Sequence, residues 1–241
     1  MDTEKKITFN YRYPKMIDEF PQPIPMSKKL PEWYKNQPSY IVQENSLIDG
    51  ITIKNCQAIF DMITTGYLLL CPVDIEIDTT EDNKIFKISD KYEKLKTPLI
   101  GSHSKEQVSH YPFNADFFTD YIFRVNMGWV VETEKGYSSL FMEPQHQDYM
   151  PMHAIAAIID TDNYMSDGLF SFFIDKGFKG TIKQGTPLVQ VFPFKRDNWV
   201  ADFNKNFDIK IVNEQTNKVR SRFTGGYKKW FWNRKTYKWK E

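Results

Sequence analysis

From Gly66 onward, apolar residues recur at every second position, in short runs that Gly, Pro, Asp and Asn interrupt. In TGYLLLCPVDIEIDTT, Val73, Ile75 and Ile77 alternate with Asp74, Glu76 and Asp78. A period of two puts one face of an extended chain in a core and the other in water. The pattern returns in IFKIS, and in MGWVVETEKGYSSLFMEP, which reads as a hairpin with its turn near Glu134 to Gly136. It continues in HAIAAIID, LFSFFID, FKGTIK, PLVQVFPF and FDIKIVN. No helical stretch of useful length separates these last five, so their strands are expected to pair antiparallel. The expected fold is mainly β (α+β), an antiparallel β-sandwich, barrel or β-clip-like core with one or two short helices.

One helix is predicted just before that region, near Asn55 to Thr65. Cys56, Ile59, Phe60 and Ile63 fall at i, i+3, i+4 and i+7, one face of a helix. Asn55 is placed to cap its start and Gly66 to end it, with Cys56 as a small buried hydrophobe. Upstream stand Pro21, Pro23, Pro25, Pro31 and Pro38, which fix φ and remove donors. Residues 1–45 therefore read as an extended Pro-rich arm, with Phe20, Trp33, Tyr34 and Tyr40 packed on the body. Residues 46–217 read as the β-rich core domain. A His-containing loop is expected from Gly101 to Pro112.

Composition agrees with a folded domain. Aromatic residues make up 16% of the 241 positions, ample for a large core, and charged residues 26%, as on ordinary globular surfaces. The N-terminus MDTEKKITFN is charged and lacks the apolar stretch of a secretion signal. The longest apolar run, Ala154 to Ile159, is far too short to cross a bilayer. Cys56 and Cys71 form no C-x-x-C spacing. These features predict a reducing, cytoplasmic location (host cytoplasm or virion for a viral protein) and no membrane partner.

Candidate chemistry is sparse. His146-Gln147-Asp148 has the His-x-Asp spacing of non-haem iron centres, but that triad needs a second His well downstream. His153, the last histidine, lies seven residues on. No metal or cofactor is therefore expected, with His146, Asp148 and His153 as the candidates if one is held. His103 and His110 lack a zinc spacing. Cys71 lies in an apolar strand, which raises a thiol pKa and argues against a nucleophile. Asp160, Asp162 and Asp167 follow the most apolar strand, where carboxylates either form an Asp/Asn turn or activate water and hold a cation.

The stretch Ile158 to Arg196 resembles the core of the dUTPase and dCTP deaminase superfamily. Ile159-Asp160 with Tyr164 and Gly168 is similar to that family's Ile-Asp-x-x-Tyr-x-Gly element, and Gly185 to Gln190 to its Gly-Asp-x-Ile-Ala-Gln element. The resemblance implies a β-clip fold, usually a trimer, with Asp160 as the water-activating, sugar-contacting aspartate. Asp160 and Gln190 would then be catalytic, and Asp160, Asp162, Tyr164, Gln190 and Arg196 would bind the nucleotide. EPQHQDYMP stands where the family's Arg-Ser-Ser phosphate motif should follow GYSSLF. The whole chain also resembles a family of phage and marine bacterial proteins without an established activity. The carriers are LPEWYK, DMITTGY, SHSKEQ, GYSSLF, IIDTD and GTPLVQVFPFKRDNW.

The segment 218–241 differs in charge. It holds nine Lys or Arg and one Glu, a net of +8, which leaves −7 for the rest of a chain whose total is +1. Seven aromatic rings are interleaved with those cations. Nucleic-acid binding and docking on the acidic remainder both fit; docking is preferred, because Trp230, Trp232 and Trp239 are too apolar to hang in water. The segment is thus expected to pack on the core or on a neighbouring subunit of a homo-oligomer. The leading functional expectation is a non-catalytic binding or assembly protein, viral in one version. The alternatives are a nucleotide hydrolase or deaminase of dUTPase-like fold and a non-haem iron oxygenase-like barrel.

Overall fold

The computed structural model describes residues 4–42, 50–80, 85–93, 95–112, 116–165 and 168–239. Asp167 lies outside them. The chain divides into two compact units. The first comprises Met1–Pro25, Gly66–Gln145 and Tyr149–Arg196, the second Met26–Thr65, His146–Asp148 and Asp197–Glu241. This replaces the three-part division expected from sequence. The first 25 residues belong to the first unit, and the C-terminal segment shares the second with residues 26–65.

The strands in chain order are β1 (Ile7–Tyr11), β2 (Ile24–Pro25), β3 (Tyr40–Ile41), β4 (Gly50–Ile51), β5 (Tyr67–Leu70), β6 (Ile75–Asp78), β7 (Ile85–Lys87) and β8 (Ile100–His103). They continue with β9 (Ile122–Asn126), β10 (Trp129–Thr133), β11 (Tyr137–Met142), β12 (Met152–Ala154), β13 (Ala157–Ile159), β14 (Leu169–Ile174), β15 (Lys179–Ile182) and β16 (Pro187–Lys195). In the first unit they form sheets of order β13-β11-β16-β5-β2, β12-β14-β9-β8, β15-β6-β7 and β1-β10; in the second, β3 pairs with β4. Among the described residues the pairings are antiparallel and none of the sheets closes on itself. The fold is therefore mainly β and sandwich-like, as the period-two pattern implies, and not a closed barrel. Among the described residues no helix is long and apolar enough to cross a membrane.

The core of the first unit is made by the inward positions of these strands. Leu69, Val189, Val191 and Phe141 of the five-stranded sheet share it with Phe123, Val125, Phe172 and Ile174 of the four-stranded one. Phe141 and Phe170 meet with ring centroids 5.0 Å apart. Each such ring contributes roughly 1.5–3 kcal/mol when fully buried. Val73, Ile75 and Ile77 are buried as their alternation demands; Asp78 is buried too, its carboxylate taken by Lys179 at 2.8 Å and by Thr80.

Several local expectations are corrected. The helix near Asn55 is the shorter α2, Gln57–Met62, since α1 is Glu32–Asn36. Asn55 does not cap it, because its side-chain amide donates instead to the Ser39 carbonyl, and Cys56 is exposed. Trp129–Thr133 and Tyr137–Met142 do flank a turn, but they do not pair as a hairpin: β10 pairs with β1 and β11 with β13 and β16. HAIAAIID splits into β12 and β13, which join different sheets. The expected Gly101–Pro112 loop begins inside β8. FDIKIVN is not a strand. After α3 (Asp90–Glu93), it opens α4, Ile209–Arg220, where the Asp208 carboxylate caps the Lys210 amide at 2.9 Å. That capping bond satisfies a donor that only a helix leaves open.

Candidate functional site

Asp160, Asp162 and Arg196 do come together. Asp160 follows β13, whose partner β11 presents Ser138 to it; the Ser138 hydroxyl donates to Asp160 at 2.6 Å. Arg196, just past β16, grips Asp162 with both guanidinium nitrogens, at 2.7 and 2.5 Å. The Gly136 amide adds a bond to Asp162 at 2.7 Å. The Arg196 guanidinium, with this amide, holds the Asp162 carboxyl down at about 2. Arg196 also lies 3.4 Å from Asp160 and donates to Ser138 at 3.1 Å. Asp160 caps a turn as well, its carbonyl accepting the amides of Asn163 and Tyr164, both at 2.9 Å. The Asp162 side chain is 1% exposed, that of Asp160 56%.

The arginine fork is thus engaged by protein carboxylate and is not open toward a phosphate. Gln190 is elsewhere. It is fully buried on β16 opposite Met142, and its side-chain oxygen accepts the Gln145 amide at 2.9 Å. Ser138 and Met142 are four positions apart on β11, roughly 13 Å at about 3.3 Å per residue. The two residues that the dUTPase resemblance pairs as catalytic do not share a site. Tyr164 is exposed beside the Asp160 turn.

The histidines are equally dispersed in role. The His146 carbonyl accepts the Trp33 indole at 2.6 Å, and Asp148 accepts the Glu32 amide at 3.2 Å, so this pair holds α1. His153, on β12, sits between two carboxylates: Nδ1 is 3.2 Å from Glu143 and Nε2 3.0 Å from Asp175. Tyr149 also donates to Asp175. Among the described residues no three His, Cys, Asp or Glu side chains are placed to hold a metal ion. Hydrogen bonding to Glu143 is the largest effect raising the His153 pKa, with Asp175 adding to it against burial. With a carboxylate on each nitrogen the ring is an imidazolium clamp. It ties Glu143, beyond β11, to β12 and to the end of β14.

Because this pKa is raised on folding, the clamp stabilises fully below the unfolded value near 6.5 and is lost as pH rises through the folded one. Thermal melting of the wild type should therefore fall with rising pH above that value, and His153→Phe should be lower melting by a few degrees and flatter. Equal pH slopes for the two proteins would remove this role from His153.

The second unit carries a cleft of about 490 Å³, within the ~300–1,000 Å³ of ligand sites. Its cations are Lys54, Arg220, Arg222 and Lys228, its rings Tyr34, Phe60, Phe223 and Tyr227, and no carboxylate among the described residues lines it. One wall comes from α2 and the turn before it. Tyr34 of α1 adds to this wall, 6.1 Å from Phe60, with the Lys54 ammonium 5.6 Å from the Tyr34 ring. The other wall is the bend between α4 and α5 (Gly226–Trp230). Gly225 makes the bend with φ +68°, a left-handed value that glycine adopts freely. Gly226 lets the helices touch: a Cβ there would lie 2.1 Å from the Val219 carbonyl oxygen.

Asp61 of α2 fastens the chain end, accepting Trp232 at 2.9 Å and Lys235 at 2.6 Å. Burial works to raise the Asp61 pKa, but the bonds from Lys235, Trp232 and Gln57 outweigh it and hold it low. The guanidinium groups of Arg220 and Arg222 make no hydrogen bond or ion pair among the described residues. The C-terminal rings are not all covered. Phe223, Tyr227, Trp230, Phe231 and Trp239 are exposed, and Trp232 and Tyr237 are half-buried. Partial burial of the rings expected to dock is thus confined to Trp232 and Tyr237. Sequence reading finds the charge of this segment but misses Tyr34, Lys54 and Phe60, which lie far away in the chain.

No model of a known protein family matches the sequence, and no curated protein matches it.

Proposed function

We propose that the chain is a non-catalytic binding protein whose second unit takes single-stranded nucleic acid in the cleft between α2 and the α4–α5 bend. The observation that carries this reading is the pairing of two arginines without a partner among the described residues and two lysines with four aromatic rings, in a cleft that no carboxylate among the described residues lines. Cations neutralise backbone phosphates while rings stack on bases, and both are needed for a strand whose bases are unpaired. The exposure of Phe223 (67%) and Tyr227 (46%) leaves π-faces for that stacking. A catalytic reading finds less support: the Arg196 fork is closed on Asp162, and His153 is held on both nitrogens.

Fluorescence anisotropy with a labelled single-stranded oligonucleotide tests the proposal. Four phosphate contacts imply a slope of log K against log salt near −2.8, from about 0.7 per contact. Phe223→Ala should weaken binding by about 1–3 kcal/mol without changing that slope, since a ring carries no charge. No binding at low salt, or equal affinity for blunt duplex and single strand, would end the proposal.

A further inference from the structure

We propose that Asp61 is the positioning residue of the cleft, the group that sets the separation of its two walls without touching the strand between them, a role that rests on the reading of this cleft as a single-strand site. Gln57 and Phe60 of the same helix line the cleft, and Asp61 does not. Both walls are built on short helices. α2 has six residues and no side-chain cap at its start, and α5 has five. Helices below about 12–15 residues are marginal by themselves, so the position of such walls depends on the side chains that tie them together.

Asp61 supplies such a tie. Both of its carboxylate oxygens accept the Trp232 indole N–H at 2.9 Å, and Oδ2 also takes the Lys235 ammonium at 2.6 Å. The side chain is 19% exposed. An ionised acceptor makes these bonds about twice as strong as a neutral one would. Trp232 carries the tie into the cleft. Its amide and that of Phe231 donate to the Tyr227 carbonyl, at 3.1 and 3.0 Å. The Lys228 ammonium lies 5.6 Å from the Trp232 ring centroid. Tyr227 and Lys228 both line the cleft. One carboxylate thus joins the Phe60 wall to a ring and a cation of the opposite wall.

The effect of Asp61 on affinity is then opposite in sign to that of its charge. A carboxylate near a cationic cleft repels phosphate, so removing the charge alone should tighten the binding of a strand. A group that holds the walls acts the other way, because a preformed site loses less freedom on binding than one that must first be ordered.

Two measurements on the full chain test this. In anisotropy titrations with a labelled single-stranded oligonucleotide, Asp61→Leu should weaken binding about tenfold at an unchanged salt slope, since no phosphate contact is removed. Trp232→Phe, which removes the indole donor and keeps a ring beside Lys228, should do the same. Asp61→Asn keeps an oxygen for the indole and should recover most of the affinity. Spin labels on Cys56, which is exposed, and on Ser221→Cys read the separation of the walls with no oligonucleotide present; Cys71 is buried. The distance should be longer and broader in Asp61→Leu. If Asp61→Leu does not fold by circular dichroism, Trp232→Phe carries both measurements. Affinity equal to or tighter than that of the wild type, or an unchanged distance between the labels, overturns the proposal. Walls that separate in a protein whose wild type binds no oligonucleotide would overturn the single-strand reading and leave Asp61 as the group that sets the walls.

Discussion

Arg220→Glu combined with Arg222→Glu should abolish binding of single-stranded oligonucleotide, with a loss of at least about a hundredfold at low salt. The two guanidinium groups line the cleft and have no partner among the described residues, which leaves each available to a phosphate. Reversal removes two attractions and adds two repulsions at the same place. The salt slope should fall by about 1.4, two contacts at about 0.7 each, before binding disappears. Both side chains lie in a stretch with no buried residue before Gly226, so the fold should persist. Anisotropy titrations over a range of salt, with circular dichroism as the control, measure this. A folded double variant that binds as the wild type does would show that the cleft is not the site.

The second large effect is expected at Gly226. An alanine there must displace the Val219 carbonyl oxygen, which a Cβ would approach to 2.1 Å. That atom belongs to the backbone of α4 and has no rotamer by which to move away. The helices must therefore separate, at about 1–3 kcal/mol for overpacking of this kind. The separation moves Phe223 and Arg222 away from Lys54 and Tyr34, the opposite wall. Gly226→Ala should lower the melting temperature and weaken oligonucleotide binding together. Gly136→Ala is a useful comparison: its φ is +90° but nothing lies within 4 Å, so it should destabilise without affecting binding. Binding that survives Gly226→Ala unchanged would show that the α4–α5 contact does not set the cleft.

The mainly β character was legible because alternation is a local consequence of the pleat. Val73, Ile75 and Ile77 are buried, while Asp74 and Glu76 between them are exposed. Pairing was not legible at that level. MGWVVETEKGYSSLFMEP contains two strands and a turn, yet the strands join different sheets. The choice of partner depends on which distant edges are free. FDIKIVN failed for a local reason: its alternation is only three apolar positions long, Phe207, Ile209 and Ile211, and the Asp208 cap set the segment as the start of a helix.

The candidate sites divide in the same way. The sequence by itself determined the β-rich core, the basic aromatic character of residues 218–241 and the unreactive setting of Cys71, which is buried with its thiol pushed up to about 12. It could also point to Asp160, Asp162 and Arg196, since turns and strand ends are local. Only the tertiary structure decided what these groups meet. It closed Arg196 on Asp162, set Gln190 apart from Asp160, and put His153 between Glu143 and Asp175. It also assembled Tyr34, Lys54 and Phe60 with Arg220, Arg222 and Phe223. The physical reason is one of range. Periodicity and capping act over a few neighbouring residues, whereas hydrogen-bond partners are chosen among side chains ten to forty-five positions apart and cleft walls among side chains more than a hundred apart.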